Sequence, residues 1–157
     1  MHGKAGLAAG KAGLALELAQ SVLPDVRREA TRLHLSNQLG NIAAYLFWLG
    51  DIEAAGKAHL EAAPLMWPDG SYWHLSILQN AAEWRFWQGG HTDAALLLGI
   101  IDKHIEGWPD GRQATEQMQR DRLGERLTET LGAAEYQRLL GQGAELGLED
   151  ARQLAGI

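Results

Sequence analysis

The four residues Trp-Pro-Asp-Gly occur twice in the chain, beginning at Trp67 and at Trp108, 41 positions apart. The run FWLG at Phe47 is similarly echoed by FWQG at Phe86, 39 positions later, and a weaker copy of the Pro-Asp pair begins at Pro24. Self-similarity with a period of about 40 residues is typical of helical solenoids. The repeat therefore predicts tandem units, each of which buries an apolar face against the next.

Each unit is predicted to contain two helices. In the first complete unit, one helix runs from about Arg27 to Leu49 and ends at Gly50, because glycine readily adopts the left-handed conformation of a helix C-terminus. Asp51 follows, and its carboxylate can accept hydrogen bonds from the free amides of a second helix that ends near Leu65.

The next unit repeats this arrangement over residues 71–88, breaks at Gly89-Gly90 and restarts at Thr92. Proline has a fixed φ and Asp-Gly completes a tight turn, so WPDG is predicted to be the exit turn between units. Burial of an indole ring contributes on the order of 1.5–3 kcal/mol. Trp67 and Trp108 are therefore predicted to pack in the core at these joints.

Composition supports an all-helical class and narrows the function. The 157 residues suit one domain with a real core, and β-branched residues are few. The absence of cysteine excludes thiolate chemistry, Cys-ligated zinc and disulfides. A net charge of −6 gives no long-range attraction to a polyanion, so direct nucleic-acid binding is not expected. Neither a secretory signal nor a membrane span is readable, which favours a cytoplasmic protein.

The run LGNIAAYLFWLGDIEAAGKAHLEAA, which begins at Leu39, resembles a tetratricopeptide repeat, in which small residues let two helices approach and a Gly-Asp turn joins them. Small residues occupy the matching positions of this unit and the next: Ala43, Gly50, Ala55, Ala62, Ala82, Gly89 and Ala94. His59 and Leu39 stand where the repeat prefers an aromatic ring, and Ile101 replaces the later alanine. The period, about 40 rather than 34, is more similar to the longer repeats of large bacterial regulators.

The tail carries a second resemblance. DAALLLGIIDKHI and LTETLGAAEYQRLLGQGAELGLEDARQLA resemble the end of the repeat region in large bacterial ATP-dependent transcriptional activators and adenylate-cyclase-linked regulators. The matching residues are Ala95, Leu97, Leu98, Gly99, Asp102, Leu131, Gly132, Tyr136, Gly143, Leu148, Glu149, Asp150 and Ala151, whereas Leu140 and Gly147 depart from the usual Trp and capping Ser.

These resemblances imply an all-α, right-handed solenoid of antiparallel helix pairs. They imply one tetratricopeptide-like domain over residues 1–157, with C-terminal capping helices over 112–157. The glycine-rich residues 1–10 are predicted to be disordered or to come from the expression vector. Residues 11–23 read as the second helix of a unit whose first helix is missing, so the natural protein is expected to continue upstream.

Searches for catalytic and metal-binding patterns favour a non-catalytic protein. Among the six histidines no two lie four apart on one helix, so no metal site is predicted. The glycine-rich runs at Gly6 and Gly141 miss the phosphate-loop and dinucleotide fingerprints, and no nucleophile–base pair stands out. Neither catalytic residues nor a cofactor are predicted.

Adjacent aromatic residues mark a candidate binding groove. Neighbouring residues on a helix point about 100° apart, so one ring of Phe47-Trp48 and one of Phe86-Trp87 should point away from the core. In the repeats that the chain resembles, the first helices line a concave groove. The residues predicted to line it here are Asn37, Ala44, Phe47, Trp48, Ser76, Gln79, Glu83, Trp84, Phe86 and Trp87.

The sequence thus predicts a regulatory sensor domain of a bacterial signalling or transcriptional regulator. Its groove would bind a protein partner, or a domain upstream in the same polypeptide, and report that occupancy. One alternative is a receptor for a sugar or an aromatic effector, with Trp48, Trp84 and Trp87 as stacking platforms. A second alternative is a scaffold that self-associates through its uncapped N-terminal face.

Overall fold

The computed structural model describes residues 2–66, 73–108 and 111–157, and of residues 2–9, 73 and 74 it describes the backbone alone. Secondary structure within these ranges is helical, without strands, which confirms the all-α prediction. The helices are α1 (His2–Glu29), α2 (Arg32–Leu49), α3 (Ile52–Met66), α4 (Trp73–Trp87), α5 (His91–Ile105), α6 (Ala114–Leu131), α7 (Ala133–Ala144) and α8 (Leu148–Ala155).

The chain divides into two compact units, Met1–Ile77 and Leu78–Ile157, here called unit 1 and unit 2. Unit 1 contains α1, α2, α3 and the start of α4, and unit 2 contains the rest of α4 and the remaining helices. The first WPDG run, including Trp67, lies outside the described residues, so its role as a buried joint stays a prediction.

The boundary between the first two helices differs from the prediction. Pro24 lies inside α1 and does not end it; the break falls at Thr31, whose hydroxyl oxygen accepts a 3.2 Å hydrogen bond from the His34 amide. A proline within a helix removes one backbone hydrogen bond. Tertiary contacts hold α1 on both sides of it, because Gln38 Nε2 donates to Ala19 O at 3.1 Å and the Arg27 guanidinium pairs with Glu61 at 2.8 Å. The predicted helix start at Arg27 is therefore wrong.

The predicted Gly-Asp turn between α2 and α3 is confirmed. Gly50 has a φ of +88°, and the Asp51 carboxylate accepts a 3.4 Å hydrogen bond from the Ala54 amide. At the other end of the two helices, the buried Ser36 hydroxyl donates to Ala62 O at 2.7 Å, so the start of α2 lies against the end of α3.

The core of unit 1 combines small residues with larger aliphatic and aromatic ones. Ala43, Ala55 and Ala62 are all completely buried, which lets the helix backbones approach closely. Phe47 and His59 are also completely buried and fill the space beside them. His59 is therefore a core residue.

In unit 2, α5 packs against α6, α7 and α8. Gly89, with a φ of +87°, and Gly90 separate α4 from α5, which begins at His91, one residue before the prediction. The core includes a set of fully or almost fully buried aliphatic residues: Leu97, Leu98, Ile100, Ile101, Leu123, Leu127 and Leu139. Arg85 Nε donates to Leu154 O at 3.0 Å and so ties α4 to the last turn of α8.

Of the second WPDG run the structure describes Trp108 and Gly111, and the predicted turn through residues 109 and 110 lies outside the described residues. Gly111 has a φ of +58°, and its amide donates to Trp108 O at 3.2 Å. Trp108, however, is 40% exposed, so its predicted burial at a joint is wrong. Trp108 lies three positions beyond the end of α5 at Ile105. None of the helices in the described ranges combines the length and the apolar character that a membrane span requires.

Candidate functional site

The predicted groove residues divide between the two units. Asn37, Ala44, Phe47, Trp48 and Ser76 belong to unit 1, and Gln79, Glu83, Trp84, Phe86 and Trp87 belong to unit 2. Phe47 is completely buried and belongs to the core, so its assignment to an accessible groove is wrong. The other four residues of the unit 1 set are partly exposed.

In unit 2, burial separates the predicted residues into two groups. Gln79 and Glu83 are 3% and 1% exposed, and each forms hydrogen bonds or an ion pair with α6. Trp84 and Phe86 are partly buried, whereas Trp87 is 40% exposed. Gln79 and Glu83 are therefore interior residues rather than groove surface, and Trp87 is the most exposed of the predicted residues in unit 2.

The Trp87 ring is held by two side chains. Its indole Nε1 donates to Glu83 Oε1 at 3.3 Å, an i,i+4 contact along α4. The Arg126 guanidinium of α6 lies 4.9 Å from the ring centroid, in cation–π contact, and its Nη1 is 3.5 Å from the same Glu83 oxygen. The Phe86 ring also meets Trp87 edge to face, with centroids 5.2 Å apart. The exposed indole ring thus contacts Glu83, Phe86 and Arg126.

Burial shifts the pKa values of the charged side chains near the Trp87 ring. Desolvation raises the pKa of Glu83, and it outweighs the hydrogen bond from Trp87 and the attraction of Arg126 and Arg122. Glu83 Oε2 is buried without a hydrogen-bond partner in the described part of the chain. Burial and the nearby charge of Arg126 lower the pKa of Arg122. The guanidinium groups of Arg122 and Arg126 thus both interact with the buried Glu83 carboxyl group.

A buried amide layer joins α4 to α6 below this cluster. Gln79 Nε2 donates to Glu116 O at 2.9 Å and to Gln119 Oε1 at 3.1 Å, while Gln79 Oε1 accepts from Arg112 Nε at 2.8 Å. Gln119 Nε2 donates in turn to Asn80 Oδ1 at 3.3 Å. Gln79 is therefore an interhelical residue that positions α6 against α4, and its assignment to an open groove surface is wrong.

An ion-pair cluster continues this layer to α5 and α7. Asp102 lies 2.7 Å from Arg112 Nη2 and 2.7 Å from Arg120 Nη2. Burial disfavours the charge of Arg120, but the hydrogen bond and the charge of Asp102, with a smaller contribution from Tyr136, outweigh it and raise the pKa of Arg120. Burial raises the pKa of Tyr136 as well. Asp102 thus pairs with two guanidinium groups from outside α5, so the cluster is suited to orienting α5 against α6.

Sequence reasoning selected Glu83 and Trp87 but missed Arg126, Arg122 and Arg112. Arg122 and Arg126 of α6 are spaced i,i+4, as are Glu83 and Trp87 on α4, so each pair lies on one helix face. That spacing is enough to predict that Arg122 and Arg126 lie on the same face of α6. Nothing in the sequence paired the two helices, because Glu83 and Arg126 are 43 positions apart.

Within the described ranges, no group of three or more His, Asp or Glu side chains is arranged to hold a metal ion. No protein-family model, curated protein or solved structure matches the chain. The fold and site together define a helical protein that presents one oriented aromatic side chain beside cationic groups.

Proposed function

We propose that the chain is a non-catalytic binding domain that receives a partner segment on the surface around Trp87. The observation that carries the proposal is the orientation of an exposed indole ring by Glu83 and Arg126. Large exposed rings are costly to leave in water and are enriched among the residues that dominate binding energy at interfaces. A ring that is already fixed loses little conformational entropy when a partner covers it.

The proposed architecture is a right-handed, tetratricopeptide-like solenoid of antiparallel helix pairs with a period of about 40 residues. It is supported by the WPDG and FW repeats, by the glycine breaks at Gly50 and Gly89, and by the contact of the start of α2 with the end of α3. In this reading α2–α3 and α4–α5 are equivalent pairs, and α6 to α8 cap the stack.

The chemistry around Trp87 indicates what a partner segment must offer. An aromatic or aliphatic side chain would pack on the indole, and a neighbouring carboxylate would be attracted by the Arg126 guanidinium, which lies 4.9 Å from the centroid of the same ring. An acidic segment with an apolar anchor fits both features. We further propose that binding is reported to other domains of a bacterial signalling or transcriptional regulator, which rests on the resemblance of the tail.

The test is a selection from a displayed random-peptide library on the full chain, with the Trp87→Ala variant as the counter-selection. The enriched peptides are expected to contain an apolar side chain close to Asp or Glu. In calorimetric titrations, Trp87→Ala should weaken the selected peptide about tenfold or more. Trp108→Ala is the matched control, because both tryptophans are 40% exposed in unit 2, and it should leave the affinity unchanged.

The charge requirement is tested separately. Arg126→Gln and replacement of the peptide carboxylate by its amide should each weaken binding, and the double change should cost less than the sum of the two. Peptides that bind wild type and Trp87→Ala equally would overturn the proposal. Titration with maltodextrins and nucleotides tests the alternative that the domain is a receptor for a small effector. If one of these ligands binds in a way that depends on Trp87, and no peptide binds, the ligand is a small molecule and the partner-segment proposal is wrong.

A further inference from the structure

Three large apolar side chains lie exposed on one face of α1. Leu14, Leu18 and Val22 are 69%, 67% and 38% exposed, and their four-residue spacing places them next to one another on the helix. Ala19, on the side of α1 that contacts α2, is only 7% exposed, and its carbonyl accepts a hydrogen bond from Gln38. The exposed row, here called the α1 stripe, therefore points away from the core of unit 1.

The residues on both sides of the α1 stripe are arranged symmetrically about Leu18. Leu14 and Val22 lie four positions before and after it, and the exposed Lys11 and Asp25 lie seven positions before and after it. Apolar residues thus occupy the centre of the face, and opposite charges occupy its two ends. The small residues Ala15 and Ser21, three positions to each side, do not obstruct the approach of another helix.

We infer that the α1 stripe is the docking surface for a second copy of this chain, in an antiparallel arrangement with the two-fold axis at Leu18. In that arrangement Leu14 packs on Val22 of the second copy, and Leu18 packs on its own counterpart. Lys11 meets Asp25 of the second copy at both ends of the contact, because a two-fold interface presents the same patch from each side.

Charge selects this orientation. A parallel pairing would place Lys11 against Lys11 and Asp25 against Asp25, and like charges at short range are destabilising. The antiparallel pairing converts both into attractions, and Lys11 has the longer side chain with which to span the gap. Asp25 already pairs with Arg28 on its own helix and stays 66% exposed, so its second carboxylate oxygen can accept the incoming ammonium.

The contact is small, because the stripe extends over about two turns of one helix. Interfaces that bury less than about 1,200 Å² are typical of weak, transient association. The dimer is therefore expected at high protein concentration and should dissociate on dilution. It is independent of the partner segment proposed at Trp87, which lies in the other unit.

Sedimentation velocity over a wide dilution series of the full chain tests the inference. Wild type should shift from monomer towards dimer with concentration, and Leu18→Lys should stay monomeric. Leu60→Lys is the matched control, since Leu60 is also exposed, at 54%, but lies on α3. Circular dichroism melts confirm that each variant is folded.

Charge exchange tests the register. Lys11→Asp and Asp25→Lys should each weaken self-association, because each variant places like charges together at both ends of the contact. Mixed in equal amounts, the two variants should associate with one another, since every end pair is then attractive. A wild type that is monomeric at every concentration overturns the inference. So does association that Leu18→Lys leaves intact, or a mixture of the two charge variants that stays monomeric.

Discussion

Gly99 of α5 and Gly143 of α7 face each other at the point where the two helices come closest. A Cβ atom added at Gly99 would lie 3.1 Å from Gly143 Cα and closer still to Leu140 O. One added at Gly143 would lie 3.1 Å from Leu96 Cα. Glycine is required at both positions by backbone contact, because neither helix can accept a side chain there without moving away from the other.

Gly99→Ala and Gly143→Ala are therefore expected to lower the free energy of unfolding by about 1–3 kcal/mol each, through overpacking of a rigid contact. Urea denaturation followed by circular dichroism measures the loss. Gly141→Ala is the control on the same helix, because nothing lies within 4 Å of its added Cβ atom. That change should raise stability by about 0.5–1 kcal/mol through helix propensity alone. Equal effects at Gly141 and Gly143 would contradict the close-contact explanation.

Glu83→Gln is expected to change how stability depends on pH. Burial raises the pKa of Glu83 in the folded protein above its ordinary value of 4.5, so the folded state holds this proton more tightly than the unfolded state. By linkage, the stability that Glu83 contributes is fully present below about pH 4.5 and is lost as the pH rises through the folded pKa.

The measurement compares urea unfolding of wild type and Glu83→Gln at a series of pH values between acid and neutral. Wild type should lose stability relative to the variant as the pH rises, because glutamine is neutral throughout and can still accept the hydrogen bond from Trp87. A difference that does not vary with pH, or one that changes in the opposite sense, would show that Glu83 has no raised pKa.

Asp102→Asn should lower the free energy of unfolding by about 1.5–3 kcal/mol, the usual cost of losing hydrogen bonds to charged groups. The variant leaves Arg112, whose side chain is 5% exposed, without its carboxylate partner. Asp121→Asn is the control, since Asp121 is exposed and its partner is Gln117 on the same helix. That change is expected to stay within about 0.5 kcal/mol. Thermal or urea unfolding measures the stability of both variants. Equal stability of Asp102→Asn and Asp121→Asn would refute the prediction.

Gly147→Ser is expected to raise stability by about 0.5–1 kcal/mol, because serine caps helix N-termini better than glycine does and restricts the unfolded chain. Gly147 precedes α8 with a φ of −98°, which any residue can adopt. Gly132 precedes α7 with a φ of +87°, so the same substitution there should destabilise by about 1 kcal/mol or more. Differential scanning calorimetry should therefore show shifts of opposite sign, and two upward shifts would contradict this account.

The sequence alone determined the helical class and the breaks at Gly50, Asp51 and Gly89. These features depend on residues within one turn of each other, and backbone conformation and capping act over that distance.

Tertiary contacts decided where α1 ends and which of the predicted groove residues are buried. Pro24 stayed inside a helix because contacts on both sides of it hold α1 in place. Phe47 became core, and Glu83 became a buried acid below an exposed ring. Burial and charge pairing join residues far apart in the chain, as Glu83 and Arg126 show across 43 positions. Such pairings depend on how helices pack. The hydrophobic period of a helix predicts which face is apolar, but it does not predict which other helix packs on that face.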